Sequence, residues 1–277
     1  MSPELGGKVS VTRRDIASAL REVGAAPGDV VMFHSSLSSM GRVVGGANAV
    51  IDGFLDAVGP DGTIAVPTLC NWKSDEQHLV FARWDVRRSP SFVGHITETL
   101  RLRPEAVRSD HATHSVAAIG TRAAELVADH GASGLRLGPY GPAAFARESP
   151  WEKLYQWNAA YCFIGVTFLF NTMVHYVESR IVERALARVS ADEKAHLADR
   201  VRGWMQPGVW PEIRGDDRER IEARLAEQGI VRYGSIGLAV LRCARARPMV
   251  DEWLAIVEHE PEEWFAEDFL EWLEEVR

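Results

Sequence analysis

Short apolar runs of strand length recur along this chain, and longer stretches with apolar residues at helical spacing separate them. "DVVMFHSS", "TIAVPT", "HSVAAIG" and "AAYCFIGVTF" are each bounded by turn-forming residues. Runs this short, with little polar alternation, read as buried strands. Strands that alternate with helical patterns are the mark of an α/β fold.

The helical stretches carry their own punctuation. In "TRRDIASALREVG", Thr12 is an N-cap candidate with Asp15 three residues on. Ile16, Leu20 and Val23 then share one face, and Gly24 ends the pattern. "GGANAVIDGFLDAVGPDG" repeats the scheme, with Val50, Ile51, Phe54, Leu55 and Val58 inward and Gly59 at the stop. Residues 71–91 are polar and irregular and are expected to form a loop. Helix is expected in "VGHITETLRL", in "TRAAELVADH" and from Thr172 to about Arg188. The part after about residue 190 reads as helical, with patterns around 217–228 and 249–258. It closes on the acidic amphipathic "EEWFAEDFLEWLEEVR", expected to pack on the body of the protein.

No repeat or Pro/Gly/Ser-rich linker divides the 277 residues, so one domain over 1–277 is expected. The longest apolar stretches fall far short of the roughly 20 residues a membrane span requires. The N-terminal "MSPELGGKVSVTRRD" lacks the apolar core of a signal peptide. Cys70, Cys162 and Cys243 lie far apart and in odd number, against a disulfide framework. The expectation is a cytoplasmic protein that spans no membrane. A net charge of −8 disfavours nucleic acid as a partner, because phosphate neutralisation needs a basic surface. The oligomeric state is not written in the sequence.

Three stretches could carry chemistry. "HSSLSSMGRVVGG", residues 34–46, lies between a strand and a helix and is rich in hydroxyls and glycine. Small residues let backbone N–H groups approach a phosphate, and the following helix adds its dipole. An ordinary strand-to-helix loop has the same composition. The embedded "RVVGGA" also fits the short R-x-x-G-x-A pattern with which one acetyltransferase superfamily, the GNAT proteins, holds the coenzyme A pyrophosphate, a pattern short enough to recur by chance. In "RSDHATHSVAAIG", two histidines three apart precede a strand, with Ser115 beside His114. They line a ligand pocket or bond backbone carbonyls; a third metal ligand is not evident, and no metal is expected. In "NTMVHYVE", Thr172, His175 and Glu178 recur at three-residue spacing, so on a helix they share a face. Glu178 can then orient His175, and an imidazole so held suits a general base. A surface His–Glu pair has the same spacing.

Taken together and in order, these stretches resemble the aminoglycoside 3-N-acetyltransferase family. The resemblance rests on "HSSLSSMGRVVGG", "DAVGPDGTIAVPT", "GHITETLR", "RSDHATHS", "ESPWEKL" and "GVTFLFNTMVHYVE", and covers roughly residues 10–190. It implies a three-layer α/β fold, with a central mixed sheet flanked by helices, rather than the GNAT fold that carries the R-x-x-G-x-A loop. It implies acetyl-CoA as cosubstrate and a small-molecule amine, an aminoglycoside first, as acceptor. On that resemblance acetyl transfer is direct, with no acyl-enzyme: His175 is the base, Glu178 fixes its tautomer, and Thr172 and backbone amides are oxyanion donors. His34 matches a family histidine beside the active site. The pantetheine would pass His34, Ser35, Ser36 and Leu37. The phosphates would lie near Gly41, Val44, Gly45 and Gly46 and near His114 and Ser115. Glu98 and Asp75 are the expected acidic contacts for the acceptor.

Two departures from the family pattern bear on that acceptor. Thr167 and Leu169 stand where aminoglycoside-modifying members often carry Gly and Asp. Asp110 and Ala112 stand where Leu and Pro are usual. The first change removes a carboxylate suited to a polycationic sugar, so another amino sugar or metabolite amine rivals the aminoglycosides. A CoA-binding relative without catalysis is a second alternative. A hydrolase using Ser35 or Ser36 with His34 is a third, although "HSSLS" lacks the glycines of a nucleophile elbow.

Overall fold

A computed structural model describes residues 9–70, 77–205, 209–213 and 215–276. From the N-terminus the elements are β1 (Ser10–Val11), α1 (Arg13–Glu22), β2 (Val30–Ser35), β3 (Arg42–Val43) and α2 (Gly46–Val58). Then follow β4 (Thr63–Pro67), α3 (Gln77–Arg83), α4 (His95–Arg101), β5 (Val107–Arg108), β6 (Val116–Gly120) and α5 (Ala123–Val127). The next group is α6 (Pro150–Gln156), β7 (Ala160–Ile164), α7 (Met173–Leu186), α8 (Ala191–Trp204) and α9 (Gly215–Glu227). The chain closes with β8 (Arg232–Ile236), β9 (Ala239–Arg245), α10 (Ala246–His259), α11 (Pro261–Trp264) and α12 (Glu267–Glu275).

Seven strands form one mixed sheet in the order β5-β6-β4-β2-β7-β9-β8. The central three, β4, β2 and β7, run parallel; β6 and β9 run antiparallel to their inner neighbours, and β5 and β8 to β6 and β9. Side chains alternate across a strand, so each strand feeds two cores. Val31, Phe33, Ile64, Val66, Cys162 and Ile164 face α1, α2 and α4, where Leu20, Phe54 and Leu100 meet them. Met32, Ala65, Tyr161 and Phe163 face the other way, against Trp151 of α6, Val177 of α7 and Trp253 of α10. The result is the expected three layers. Phe33 stacks on Phe54 with ring centroids 3.8 Å apart, and removing either ring would cost about 3–5 kcal/mol.

Local signals read from the sequence operate as written. The Thr12 side chain accepts the Asp15 amide, and the Asp15 carboxylate accepts the Thr12 amide at 2.8 Å. Val23 caps α1 and Gly24 follows with φ +102°. Two expectations differ. The part after residue 190 is not only helical: β8 and β9 form a hairpin that completes the sheet against β7. Its glycines, Gly234 and Gly237, and its arginines, Arg232, Arg242 and Arg245, interrupt the apolar run by which the other strands are recognised. Within 71–91, residues 77–83 form α3. The terminal amphipathic stretch breaks at Phe265, whose backbone is extended, so that Trp264 and Trp272 both reach the core. No helix among the described residues is long and apolar enough to cross a membrane.

Because β2, β4 and β7 are parallel, their carboxyl ends open on one edge of the sheet. The start of the antiparallel β6 lies at the same edge, with Val116 opposite Pro67. That edge is where open α/β sheets bind ligands.

Candidate active site

A cavity of ≈ 760 Å³ occupies that edge. It takes His34 and the Ser35–Ser38 turn from the end of β2, Pro67 and Leu69 from β4, and the N-terminal turn of α4. His114 comes from the approach to β6; Asn171, Thr172 and His175 come from the start of α7. A cavity of this size suits a small-molecule or cofactor site.

His175 is 7% exposed and Glu178, one helical turn behind it, is fully buried. The His175 Nδ1 lies 2.9 Å from the Glu178 Oε2. The other carboxylate oxygen, Oε1, accepts the Ile213 backbone N–H at 2.7 Å. A carboxylate only accepts, so Nδ1 carries the proton and the Nε2 lone pair is left over. Asn171 secures the helix start, its Oδ1 accepting the Met173 amide at 3.0 Å. Thr172 is the N-cap by position, with no side-chain capping bond, and lines the cavity.

His34 presents a different chemistry. Its Nε2 lies 2.9 Å from the Tyr161 hydroxyl, and its ring stacks on Phe163. Burial pushes its pKa down to about 3, so it is neutral at physiological pH. The neighbouring Ser35 hydroxyl is buried and has no hydrogen-bond partner. His34 therefore does not activate Ser35, and the hydrolase alternative lacks its base–nucleophile contact.

His114 lines the cavity edge-on to His175, with ring centroids 5.7 Å apart. Burial, reinforced by the neighbouring imidazoles, holds its pKa well below the ordinary histidine value. Its Nδ1 meets the Thr113 hydroxyl at 2.9 Å. His111 accepts the backbone amides of Thr113 and His114 on its Nδ1 and stacks on His130. Among the described residues no group of His, Cys, Asp or Glu is arranged to hold a metal.

Other expected site residues stand elsewhere. Ser115 is fully buried in a structural knot, its hydroxyl donating to the Thr68 carbonyl at 2.9 Å and accepting from Arg108. It is not part of the cavity wall. Gly41, Val44, Gly45 and Gly46 also lie off the wall; Gly45 caps α2 in the left-handed region. Glu98 sits on α4 but is claimed by Arg101 and by the Ser91 amide at 2.8 Å. Burial pulls its pKa upward, and those two partners outweigh burial and hold it below the ordinary value. It is not among the residues that line the cavity. Asp75 lies outside the described residues.

Several residues at the site were not legible in advance. Tyr140, with φ +63°, packs its ring against those of both His114 and His175, with centroids at 4.3 and 5.0 Å. "GPYGP" announces a turn there and nothing more. Tyr161, Ile213 and Arg218 carried no signal, since each reaches the site through the tertiary fold.

The architecture is shared with solved acetyltransferases. The crystal structure of aminoglycoside acetyltransferase AAC(3)-Xa superposes with a TM-score of 0.68 at 28% identity, covering 90% of this chain and 93% of that one. AAC-IIIb in a binary complex with CoASH gives 0.70 at 20% identity, over 91% and 97% of the two chains, a likeness of fold. This chain is thus an acyltransferase by class. The family model for aminoglycoside 3-N-acetyltransferase matches residues 32–258. Aminoglycoside N(3)-acetyltransferase VII of Streptomyces paromomycinus is 31% identical, over 90% of this chain and 92% of that protein. The chain belongs to the aminoglycoside 3-N-acetyltransferase family.

Proposed function

We propose that the protein transfers the acetyl group of acetyl-CoA to a primary amine of an aminoglycoside by direct attack, with His175 as general base. The observation that carries this reading is the buried Ile213–Glu178–His175 chain, which leaves one imidazole nitrogen unprotonated beside a substrate-sized cavity. An ammonium has no lone pair, so the acceptor reacts as the neutral amine, its ammonium proton already given up to solvent; the proton that remains to be moved is the one the nitrogen sheds as it attacks. The amine nitrogen bonds to the thioester carbonyl carbon and gives its proton to the His175 Nε2. The C–S bond then breaks, and the departing sulfur takes the proton from the imidazolium.

Glu178 stabilises that imidazolium and keeps its tautomer. Thr172, which lines the cavity beside His175, is the side-chain donor assigned here to the carbonyl oxygen as negative charge develops. The cavity also fits the cosubstrate in kind. Hydroxyls along Ser35–Ser38 and apolar Leu37, Leu69 and Val93 suit an amide-bearing pantetheine arm. On this reading Gly41–Gly46 would meet the phosphates from outside the wall.

The test is release of CoA thiol with a panel of amines. His175→Ala is expected to lower turnover by about 10²–10⁴-fold; an unaltered rate removes the mechanism. A second reading, in which another amino sugar or metabolite amine is the acceptor, is favoured by one feature. Arg218 and the half-exposed Leu169 and Phe170 form part of the wall.

A further inference from the structure

Arg218 lines the cavity with a side chain only 12% exposed, yet its bonding is incomplete. Nη1 donates to the Leu169 carbonyl at 3.0 Å. Nη2 stands 3.5 Å from the Glu212 carboxylate, which is 41% exposed. Nε is buried without any partner. A guanidinium offers five N–H donors in a planar fork. A largely buried guanidinium with an unsatisfied donor and a long ion pair calls for an explanation beyond packing.

Its position is equally informative. Glu212 also accepts the Tyr140 hydroxyl at 3.3 Å, and the Tyr140 ring is 5.0 Å from that of His175. Through Glu212 and Tyr140, Arg218 is therefore linked to the side of the base, where an acceptor amine would lie. Among the described cavity-lining residues it is the one permanently charged side chain; Leu69, Val93, Ile96, Leu169 and Phe170 are apolar. A second ammonium on the acceptor would meet like charge there. A phosphate, sulfate or carboxylate would meet a fork that fits it, and would replace the long contact to Glu212.

Resting on the second of the two readings above, in which the acceptor at this acyl-transfer site is an amine other than an aminoglycoside, we infer that Arg218 determines specificity by binding an oxyanion of the acceptor. The preferred acceptor is then a primary amine that carries an anionic group. When the guanidinium is removed, Glu212 is released to attract cations, so the preference inverts.

The experiment measures thiol release by wild type, Arg218→Gln and Arg218→Lys with glucosamine 6-phosphate, glucosamine and the polyamine kanamycin. Wild type is expected to favour the phosphorylated sugar over glucosamine. In Arg218→Gln, kcat/KM for that sugar falls by about 10–100-fold, the scale of one hydrogen bond to a charged group. In the same variant kcat/KM for kanamycin rises, and the KM for acetyl-CoA stays as in wild type. Arg218→Lys keeps the charge without the fork and falls between the two. Three outcomes overturn the inference alone: kanamycin preferred by wild type, a ranking unchanged in Arg218→Gln, or an effect confined to the acetyl-CoA KM. Thiol release that is the same in wild type and His175→Ala for every amine removes the transfer reading, and the inference with it.

Discussion

Replacing Glu178 by Gln changes one atom and tests the whole site. The side chain is fully buried, and both oxygens are committed, to the His175 Nδ1 at 2.9 Å and the Ile213 amide at 2.7 Å. A carboxylate accepts both bonds; a carboxamide accepts one and donates the other. If the new oxygen keeps the Ile213 N–H, the NH₂ faces Nδ1. The imidazole must then move its proton to Nε2, which leaves no base in the cavity. If the oxygen keeps the histidine, the NH₂ opposes the Ile213 N–H and the segment before α9 loses its anchor. A change of imidazole tautomer costs little, whereas a buried donor set against a donor costs about 1–3 kcal/mol. The first arrangement wins. Glu178→Gln should therefore fold, with a loss of about 1–2 kcal/mol for the weakened charge-assisted bond. Its kcat/KM should fall by about 10³-fold, within the range for a misplaced general base. A disulfide-exchange assay of released CoA, with urea melts as a stability control, measures both. A variant that keeps more than about a third of wild-type kcat/KM, a loss too small for a missing base, would refute the tautomer argument.

Other outcomes follow from the same structure. His34, His111 and His130 are held neutral, with pKa values depressed by burial to about 3, 4 and 3. The unfolded chain binds protons near pH 6.5 that the folded one refuses, so stability is full above that pH and is lost as pH falls toward these values. At pH 5 the loss is up to about 2 kcal/mol per imidazole, and melting temperature should fall steeply between pH 6.5 and 5. Arg136→Met leaves Glu152 buried without the Arg136 guanidinium, now 2.8 Å away, and should cost about 3–5 kcal/mol in urea unfolding. Gly165 has φ +63°, and a Cβ there would run into Ser39. Gly165→Ala should lower the melting temperature and raise the acetyl-CoA KM in steady-state assays, because the Ser36–Ser39 turn must shift.

What could be read in advance follows the range of the interactions. His175 and Glu178 lie three residues apart on one helix, and the helix alone brings them together. The strands β2, β4, β6 and β7 announced themselves because both their faces are buried. By contrast, His34 meets Tyr161 across 127 positions, and Glu178 meets Ile213 across 35; only the sheet order and the return of α9 create those contacts. Glu98 misled for a local reason. Arg101 stands one turn further along "ETLR" and takes up the carboxylate expected to meet the acceptor. Ser115 misled because a hydroxyl beside a cavity histidine can turn inward, as it does here toward Thr68. β8 and β9 escaped because an edge hairpin with one wet face and two glycines offers neither a continuous apolar run nor clean alternation.

The antiparallel pairing of β7 with β9 has a consequence for how the protein is made. Cys162 and the residue opposite it, Cys243, are 81 positions apart. At about 5–20 residues per second on the ribosome, the sticky flank of β7 waits several seconds for its partner to be synthesised. Through that interval the nascent chain carries a bare, oily ribbon edge that neighbouring chains can join. Expression yield should therefore depend on chaperone supply and translation speed more than the finished protein's stability would suggest.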